Sequence, residues 1–503
     1  MRYLISVDVG TQGSKAAIVD EEGRIVATSF RPSQLIRMAG GRVEQDPEEI
    51  FDSVLLGIKE VMEKSNINRE RVAAIGIDGQ MAGILAIDRD WNPVIPYDSW
   101  LDTRCEKVMQ HMKDWGEQSL IRTTGAPVTY AHGAKKVWWR TEQPDVYARI
   151  AKFIVISAYV SGKLAGLNAE QAYIDYSHLH FSGFADVETM VWSDELLHAF
   201  GIDRDKMPSI VQPWDIIGTL TSDYAEITGL MKGTPIVAGS GDTAATLLGA
   251  GIVRPGQLID IAGTASVLSC CIDRYEPDAK SKTLIYARSI IPGLWTPLAY
   301  INGGGQCLAW FREQWNLSKS SSLSFDELNR MAEAVESGSD GLLFVPHFGG
   351  RVCPNNPDLR GSWIGLNWAH DKGAMYRSIM EAIAYEYRYY LSTLEGLTGT
   401  ISYSHVHAVG GGASSALFNQ IKSDVLNIPY QTLHESNSAL VANAVIAGYG
   451  VGLFNDLAST ASRFVSVKEN YAPDAQRHQI YKKFADRYPV MLEQMSSLYN
   501  QFK

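Results

Sequence analysis

The chain has 503 residues, more than a single hydrophobic core usually serves, so two or more domains are expected. Its composition is typical of a globular protein, with 46% hydrophobic and 20% charged residues. A formal net charge of −11 argues against nucleic acid or a membrane surface as the main partner. Five cysteines without a CxxC pair, and no apolar run of about 18 residues, predict a cytoplasmic protein.

The N-terminal segment predicts three strands, over residues 3–9, 14–20 and 24–29, joined by turns typical of a β-meander. The segment DPEEIFDSVLLGIKEVMEKS has apolar residues at helical spacing, and Asp46-Pro47 marks the predicted helix start. The apolar stretch VAAIGIDGQ that follows is typical of a strand in a parallel sheet. The early chain is therefore expected to form an α/β domain with a mixed sheet.

A second segment of the same kind lies in the middle of the chain, at 257–273. Its sequence, QLIDIAGTASVLSCCID, places Gly263-Thr264 where the first segment has Gly10-Thr11. An amphipathic helix is predicted over 376–397, followed by a strand in SHVHAVGGG and a helix in SSALFNQIKSDVLN. These elements predict a second α/β domain that begins near 245–255 and packs around a cleft with the first.

Three glycine-containing turns are candidate binding elements. The turn at Gly10-Thr11 exposes backbone N–H groups to an anion, its threonine adds a hydroxyl, and Asp8 could hold Mg²⁺. The copy at Gly263-Thr264 would add a second phosphate loop, whereas a plain hairpin turn is the alternative. Gly410–Gly412 would let a flat ligand approach the backbone, unless these glycines only serve a turn with positive φ.

The stretch PIVAGSGDTAATLLG places Asp242 between a predicted buried strand, 235–238, and a helix expected to begin near Ala244. A carboxylate at such a joint costs several kcal/mol unless it is partnered or used chemically. The same stretch scans as G-x-G-x-x-A, with Asp260 further along. This leaves a nicotinamide-dependent dehydrogenase open as an alternative.

The histidines and the tryptophan pair have ordinary interpretations. His405 and His407 alternate on one strand face and could bind a metal, but no carboxylate accompanies them, so they are expected to be ordinary strand residues. The same holds for His178 and His180. Trp138-Trp139 is expected to pack in the core on a helix rather than to bind a sugar.

Taken together, these stretches resemble the FGGY carbohydrate kinase family, and within it the xylulokinase-like branch. The resemblance covers nearly the whole chain in order, through VDVGTQGSKAAIVD, VEQDPEEIF, GIDGQMAG, YDSWLDTR, VWSDELL, KMPSIV, AGSGDTAA, DIAGTAS and AVGGGASSALFNQIKSDVLNIP. It implies two α/β domains, ribonuclease-H-like and of the actin and hexokinase ATPase type, around a central cleft. Residues 1–247 would carry the sugar side, the first phosphate loop and the catalytic aspartate, and 248–503 the second phosphate loop and the adenosine site.

The resemblance also implies roles for single residues. It makes Asp242 the general base and Asp8 the Mg²⁺ ligand. The positions that match its ATP-binding segments are Gly10, Thr11, Gln12, Gly263, Thr264, Gly411, Gly412 and Ala413. The positions on the sugar side are Gln80, Met81, Ala82, Asp102, Asp242 and Thr243. Two positions depart from the xylulokinase pattern: Ala82 stands where histidine is usual, and Gly133 where Ser, Thr or Pro is common.

The implied activity is phosphorylation of a ketose or polyol hydroxyl, with ATP and Mg²⁺ as cofactors and a small-molecule sugar as partner. D-xylulose, giving D-xylulose 5-phosphate, is the first expected substrate, and L-xylulose, ribulose, gluconate and glycerol stay open. A non-catalytic ATP-binding sugar sensor is the alternative outside enzymes, and a homodimer stays open. Arg104 and Lys15 would supply positive charge near the loops or lie on the solvated surface.

Overall fold

In the computed structural model, the first three apolar segments form antiparallel strands, as predicted: β1 Tyr3–Gly10, β2 Gly13–Asp20 and β3 Ile25–Pro32. The predicted helix follows as α1 Pro47–Ser65, and the Asp46 side chain caps it by accepting a hydrogen bond from the Glu48 N–H at 2.9 Å. The predicted β-meander and the predicted helix are both confirmed. Both depend on local turn and capping residues, which the sequence shows directly.

The structure describes residues 1–315, 323–435 and 437–501. The remaining strands in these ranges are β4 Ile36–Arg37, β5 Val43–Gln45, β6 Val72–Gly79, β7 Leu85–Ile87, β8 Tyr97–Asp98, β9 Lys152–Ile154, β10 Tyr173–Asp175, β11 Ala185–Asp186, β12 Val191–Trp192, β13 Ser209–Val211, β14 Ile216–Thr219, β15 Pro235–Val237, β16 Ser240–Gly241, β17 Gln257–Ala262, β18 Ser266–Cys270, β19 Ile285–Arg288, β20 Trp295–Ile301, β21 Leu343–Val345, β22 Ser362–Ile364, β23 His405–Val409, β24 Tyr430–Leu433 and β25 Val467–Tyr471.

The other helices in the described ranges are α2 Glu106–Thr124, α3 His132–Glu142, α4 Pro144–Arg149, α5 Ile156–Ala165, α6 Asp194–Ala199, α7 Ser222–Thr228, α8 Asp242–Gly249, α9 Gly304–Gln314, α10 Phe325–Glu333, α11 Lys372–Thr398, α12 Ala416–Leu426, α13 Ser438–Gly450, α14 Leu457–Phe464, α15 Ala475–Ala485 and α16 Tyr488–Asn500. Short 3-10 helices are formed by Arg69–Arg71, Ala169–Gln171, Tyr176–Phe181, Arg204–Lys206, Ser339–Gly341 and Gly411–Ser414. Across the described part of the chain, every helix is too short or too polar to cross a membrane.

The chain divides into two units. Unit 1 contains Met1–Val253, Tyr286–Trp295 and Asn437–Val465, and unit 2 contains the described parts of Arg254–Ile285, Thr296–Ser436 and Ser466–Lys503. The sequence predicted a single boundary between residues 247 and 248. In the structure, two segments after that boundary, Tyr286–Trp295 and Asn437–Val465, belong to unit 1. These segments include α13, which is apolar on all sides and is buried against β1, β6 and α8.

The sheet of unit 1 has the strand order β14-β15-β6-β1-β2-β3. Strands β1, β2 and β3 are antiparallel, whereas β6 and then β15 continue the sheet parallel to β1. The parallel strand predicted in VAAIGIDGQ is therefore confirmed as β6. Its buried position between β1 and β15 explains why it is apolar along its whole length.

The sheet of unit 2 repeats this arrangement with β20, β18, β17, β23 and β24 in order, and β25 at the end. Here β17 and β18 form the second hairpin, and β23 and β24 continue parallel to β17. The α/β fold class with two ribonuclease-H-like units is thus confirmed. The helix predicted over 376–397 is longer, because Asp371 caps it through the Ala374 N–H at 2.9 Å.

Candidate active site

Asp242 is the first residue of α8, directly after β16. The chain reaches this point through Gly239, which has φ +79°, and a Cβ there would lie 1.8 Å from the carbonyl oxygen of Ile77. Only glycine fits this approach to β6. Asp242 is half-buried, and its Oδ1 accepts hydrogen bonds from the Thr243 N–H at 2.6 Å and the Thr243 hydroxyl at 3.2 Å.

Two further carboxyl groups lie near Asp242 in unit 1. Asp8 on β1 and Asp78 on β6 are paired residues of neighbouring parallel strands, and Asp78 also pairs with Ser240 of β16. Asp78 is fully buried, and its Oδ2 accepts a hydrogen bond from the Asn443 Nδ2 at 2.7 Å. The parallel strands β1 and β6 therefore carry Asp8 and Asp78 side by side. Strand β16 ends at Gly241, directly before Asp242, at the same edge of the sheet.

Burial raises the pKa values of all three carboxyl groups, and neighbouring negative charges raise those of Asp78 and Asp242 further. Burial, and then the charges of Asp8 and Asp242, hold the pKa of Asp78 well above its usual range. Burial also raises the pKa of Asp8, although the hydrogen bond from Asp78 opposes this. Burial, followed by the charge of Asp8, raises the pKa of Asp242 to about 6. Of the three carboxyl groups, Asp242 is ionised at neutral pH, and Asp78 is the one whose proton burial and its two charged neighbours favour.

The first glycine turn is held by a network of amide and hydroxyl groups. Trp100 Nε1 donates to the Thr11 hydroxyl at 2.9 Å, and this hydroxyl donates to Gln80 Oε1 at 3.2 Å. Gln80 Nε2 donates to Gln45 Oε1 at 2.8 Å, and Gln45 Nε2 returns to the Thr11 carbonyl oxygen at 3.1 Å. Gln12 is exposed at the turn. The network joins the turn to the segment that follows β6.

That segment continues into Met81 and Ala82, which lie beside the residues around Asp242. A Cβ at Gly241 would lie 2.5 Å from the Met81 sulfur, so Met81 packs against the residue before Asp242. Ala82 is half-buried with φ +61°, a strained value for alanine. The buried Lys135 ammonium donates to the Ala82 carbonyl oxygen at 3.3 Å and thereby stabilises this conformation.

Asp102 is fully buried and both of its oxygens have protein partners. Oδ2 accepts from the Val43 N–H at 2.7 Å, and Oδ1 accepts from the Arg104 N–H at 3.0 Å. The Arg104 guanidinium also contacts Glu44 at 2.5 Å and Asp98 at 3.1 Å, and its side chain is 3% exposed. The prediction that Arg104 lies on the solvated surface is therefore wrong, because buried carboxylates of distant segments, Glu44 and Asp98, enclose its guanidinium. Lys15 is exposed.

In unit 2, the predicted copy of the turn forms as expected. Gly263 and Thr264 lie exposed between β17 and β18, and the Gln306 N–H donates to the Thr264 carbonyl oxygen at 3.1 Å. The glycine turn after β23 passes close by, since a Cβ at Gly412 would lie 2.8 Å from the Cβ of Ala262. The two turns are thus neighbours within this unit.

The glycine turn after β23 does not open directly into a helix. Gly410 has φ +87°, Gly411–Ser414 form a 3-10 helix, and α12 begins only after its cap Ser415. Asn419 of α12 donates to the Ala413 carbonyl oxygen at 2.8 Å and holds the turn. The helix predicted in SSALFNQIKSDVLN is thus confirmed as α12, and the 3-10 helix separates it from Gly410.

The comparison with protein families decides the identity of this arrangement. Residues 3–249 match the N-terminal domain of the FGGY family of carbohydrate kinases, and residues 261–451 match its C-terminal domain. The chain belongs to the FGGY family of carbohydrate kinases. The predicted resemblance is confirmed, and the chain is a phosphotransferase rather than the dehydrogenase that the Gly239 stretch left open.

Relatives of this FGGY kinase carry more than one substrate name. The chain is 30% identical to the xylulose kinase of Lactococcus lactis subsp. lactis (strain IL1403) over 499 residues, which cover 96% of each chain. It is 26% identical to the gluconokinase of Bacillus licheniformis over 510 residues, covering 99% of this chain and 97% of that one. Among solved structures, it is similar to a ligand-bound xylulose kinase from Lactobacillus acidophilus, with 25% identity, full coverage of both chains and a TM-score of 0.92.

Several residues around the site of this FGGY kinase escaped the sequence reasoning. Asp78 lies only two residues before Gln80, but the rest of its strand is apolar, so nothing in the sequence indicates that it lies beside Asp8. Asn443 is a lone amide in the apolar helix SALVANAVIAGYG, which was a usable signal of a buried polar contact. Gln45 and Lys135 gave no such signal, because only the folded chain brings them to Gln80 and Ala82.

The interpretations of the histidines and tryptophans are partly corrected. His405 and His407 share one face of β23, with ring centres 4.3 Å apart, and His407 Nε2 contacts Gln431 Oε1 at 3.1 Å. No group of three or more potential metal ligands forms among the described residues. His178 and His180 lie on a 3-10 helix instead of a strand. Trp139 is buried on α3 as expected.

Proposed function

We propose that this FGGY kinase transfers the γ-phosphoryl group of ATP to a primary hydroxyl of a ketose, polyol or related sugar acid, with D-xylulose as the leading substrate. The names of the relatives support this order, because xylulose kinases include the relative at 30% identity. The gluconokinase at 26% identity keeps gluconate as the second candidate, before L-xylulose, ribulose and glycerol.

The observation that carries the proposal is the position and ionisation of Asp242. Its carboxylate has a pKa raised to about 6, primarily by burial, so it is ionised at neutral pH and still basic enough to accept a proton. We assign it as the general base. It takes the proton of the sugar hydroxyl as that oxygen attacks the γ-phosphorus, the bond to the β-phosphate oxygen breaks, and ADP leaves.

The glycine turns are assigned to the nucleotide. In unit 1, the backbone of Gly10, Thr11 and Gln12 would donate N–H groups to phosphate oxygens. In unit 2, Gly263 and Thr264 would do the same, and Gly411, Gly412 and Ala413 would border the adenosine. The exposure of both hairpin turns supports these assignments, since backbone donors that face solvent are free for a ligand.

Asp8 is assigned as the Mg²⁺ ligand. Carboxylate oxygen is the donor type that Mg²⁺ prefers, and this ion usually takes one or two carboxylates and completes its shell with phosphate oxygens and water. The residues fit, because Asp8 is only half-buried and the hydrogen bond from Asp78 lowers the pKa of Asp8 and so favours its charged form. When bound, Mg²⁺ would neutralise charge on the phosphates.

The sugar side is assigned to Gln80, Met81, Ala82, Asp102 and Thr243. Ala82 supplies no hydrogen-bonding side chain, so the sugar loses one polar partner there and gains space. Both carboxylate oxygens of Asp102 already accept hydrogen bonds from the N–H groups of Val43 and Arg104. We therefore assign Asp102 to stabilise this end of the site rather than to bind a sugar hydroxyl directly. Thr243 orients the Asp242 carboxylate through its own hydroxyl.

The test is ADP release with Mg-ATP against a panel of ketoses, polyols and sugar acids. A single strong substrate, lost in Asp242→Ala with ADP binding retained, is the expected result. Asp242→Asn serves as the matched variant, because it keeps the shape and removes the base. ADP binding without turnover on any sugar would favour the sensor alternative, and full turnover in Asp242→Ala would overturn the base assignment.

A further inference from the structure

A buried 3-10 helix in unit 1 lies against the residues that lead into Asp242. It spans Tyr176–Phe181, and Asp175 caps it. Its Ser177 and His178 are both 0% exposed, and the helix packs beside β16, whose last residue is Gly241. Solvent does not reach Ser177 or His178, so these two residues act only through the atoms they contact.

Hydrogen bonds join this helix to the backbone just before Asp242. Ser177 Oγ accepts from the Gly241 N–H at 2.9 Å. With its lone pair used in this way, the Ser177 hydroxyl donates its own proton to Asp175 Oδ1, which also accepts from the Ser177 N–H at 2.9 Å. The orientation of Gly241, and hence the start of α8, is therefore tied to a buried carboxylate.

The second oxygen of this carboxylate holds a histidine. Asp175 Oδ2 contacts His178 Nδ1 at 2.6 Å, so Nδ1 carries a proton and Nε2 is left as the distal nitrogen. His178 Nε2 is buried and has no hydrogen-bond partner among the described residues. The ring stacks on His132, with centres 6.3 Å apart.

His178 also lies close enough to Asp242 to affect it electrostatically. Burial is the largest influence on the pKa of Asp242 and raises it, the Asp8 charge adds to this, and a positive charge on His178 acts in the opposite direction. The same aspartate thus holds both the backbone before Asp242 and an imidazole in its electrostatic neighbourhood.

We propose that Asp175, Ser177 and His178 are positioning residues for Asp242, with Ser177 fixing the backbone of Gly241 and His178 placing its imidazole near the carboxylate. The inference rests on the proposed function, since it takes Asp242 as the base. A base works only within hydrogen-bond reach of the proton it removes, so a small displacement slows the chemical step more than it weakens substrate binding.

Three variants and one control test this network. Ser177→Ala removes the acceptor of the Gly241 N–H, and Ser177→Thr restores a hydroxyl. His178→Asn keeps an N–H for Asp175 at the place of Nδ1 but removes the distal nitrogen and the imidazole ring. His180→Asn is the matched control, because His180 is equally buried on the same helix and neither of its ring nitrogens has a hydrogen-bond partner among the described residues.

The readouts are kcat and KM for the sugar that gives turnover, starting with D-xylulose, together with ADP binding by calorimetry and the unfolding temperature. We expect kcat to fall about tenfold or more in Ser177→Ala and His178→Asn, with KM for the sugar and ADP affinity within about threefold of wild type. Ser177→Thr should recover most of the loss, and His180→Asn should keep the wild-type kcat.

Each other outcome overturns the inference in a distinct way. Unchanged kcat in folded Ser177→Ala and His178→Asn, while Asp242→Ala is inactive, overturns the network but leaves the base in place. A rise in KM alone would mean a role in sugar binding. An equal loss in His180→Asn would mean general packing. Full activity of Asp242→Ala would remove the base and the network together.

Discussion

Asn443 donates its side-chain amide to Asp78 Oδ2 at 2.7 Å and to the Val7 carbonyl oxygen at 2.9 Å. The two partners Asn443 and Asp78 are 365 residues apart in the chain, yet both belong to unit 1 and both are fully buried. A single amide from α13 thus holds β1 and β6 at the level of Asp8 and Asp78. The first predictions concern this contact and the carboxyl groups around it.

Replacement of Asn443 by leucine should destabilise unit 1. The variant leaves Asp78 Oδ2 without a donor in a buried position, which costs about 1–3 kcal/mol of the free energy of unfolding. Urea unfolding followed by circular dichroism measures this loss. Asn500→Leu, at an exposed position of α16, is the control and should change stability by less than about 0.5 kcal/mol. Equal stability of the two variants would contradict the importance of the Asn443 contact.

The pH dependence of kcat/KM should report the ionisation of Asp242. Since a base must be ionised to act, and burial raises the pKa of Asp242 to about 6, kcat/KM should rise with pH through a midpoint near 6. Below the midpoint it should fall about tenfold for each pH unit. A midpoint near 4, the ordinary range of an aspartate, would contradict the raised pKa of the base.

Replacement of Arg104 by methionine should be strongly destabilising. The guanidinium is the shared partner of Glu44, Asp98 and Asp102, and its removal leaves three buried carboxyl groups without their common cation. Breaking a buried pair from one side typically costs about 3–5 kcal/mol.

Arg24→Met is the matched control for this substitution, measured in the same urea titration. Arg24 also binds an aspartate, Asp20, but its side chain is 64% exposed. Solvent screens such a pair, so the control should lose far less stability than Arg104→Met. Similar losses in the two variants would mean that burial of the Arg104 cluster does not matter.

Replacement of Trp100 by phenylalanine should weaken ATP more than sugar. The variant keeps an aromatic ring but removes the Nε1–H that donates to the Thr11 hydroxyl at 2.9 Å. Loss of one hydrogen bond is worth about 1 kcal/mol, so KM for ATP should rise about fivefold if the turn binds phosphate. Trp115→Phe, at a similarly exposed position on α2, should leave both KM values unchanged. An effect on the KM for the sugar alone would mean that the Gly10-Thr11 turn binds the sugar and not ATP.

Many elements could be predicted because their causes are local. The hairpin at Gly10–Gly13, its copy in unit 2, the cap at Asp46 and the buried strand β6 follow from turn residues, capping and the spacing of apolar side chains. The order of the short motifs was enough for the family, and Asp242 stood out because a lone charge in an apolar run needs a reason.

The charged end of the sugar side could not be predicted in the same way. Arg104 was predicted as a possible surface cation, and nothing within a few residues of Arg104 or Lys135 shows what covers them. In the folded chain they are buried among Glu44, Asp98 and the carbonyl oxygens of Ser99 and Ala82. Burial is a property of the packed elements, and charge alone does not reveal it.

The sequence by itself determined the fold class, the family and the identity of the conspicuous aspartates, because local patterns and motif order carry that information. Only the tertiary structure decided which distant groups complete the site. In the tertiary structure, Asn443 on α13 contacts the sheet of unit 1, Asp78 lies beside Asp8, and His178 lies near Asp242. Such contacts join residues that are tens to hundreds of positions apart, and their energies depend on burial and distance, which arise only when the chain is packed.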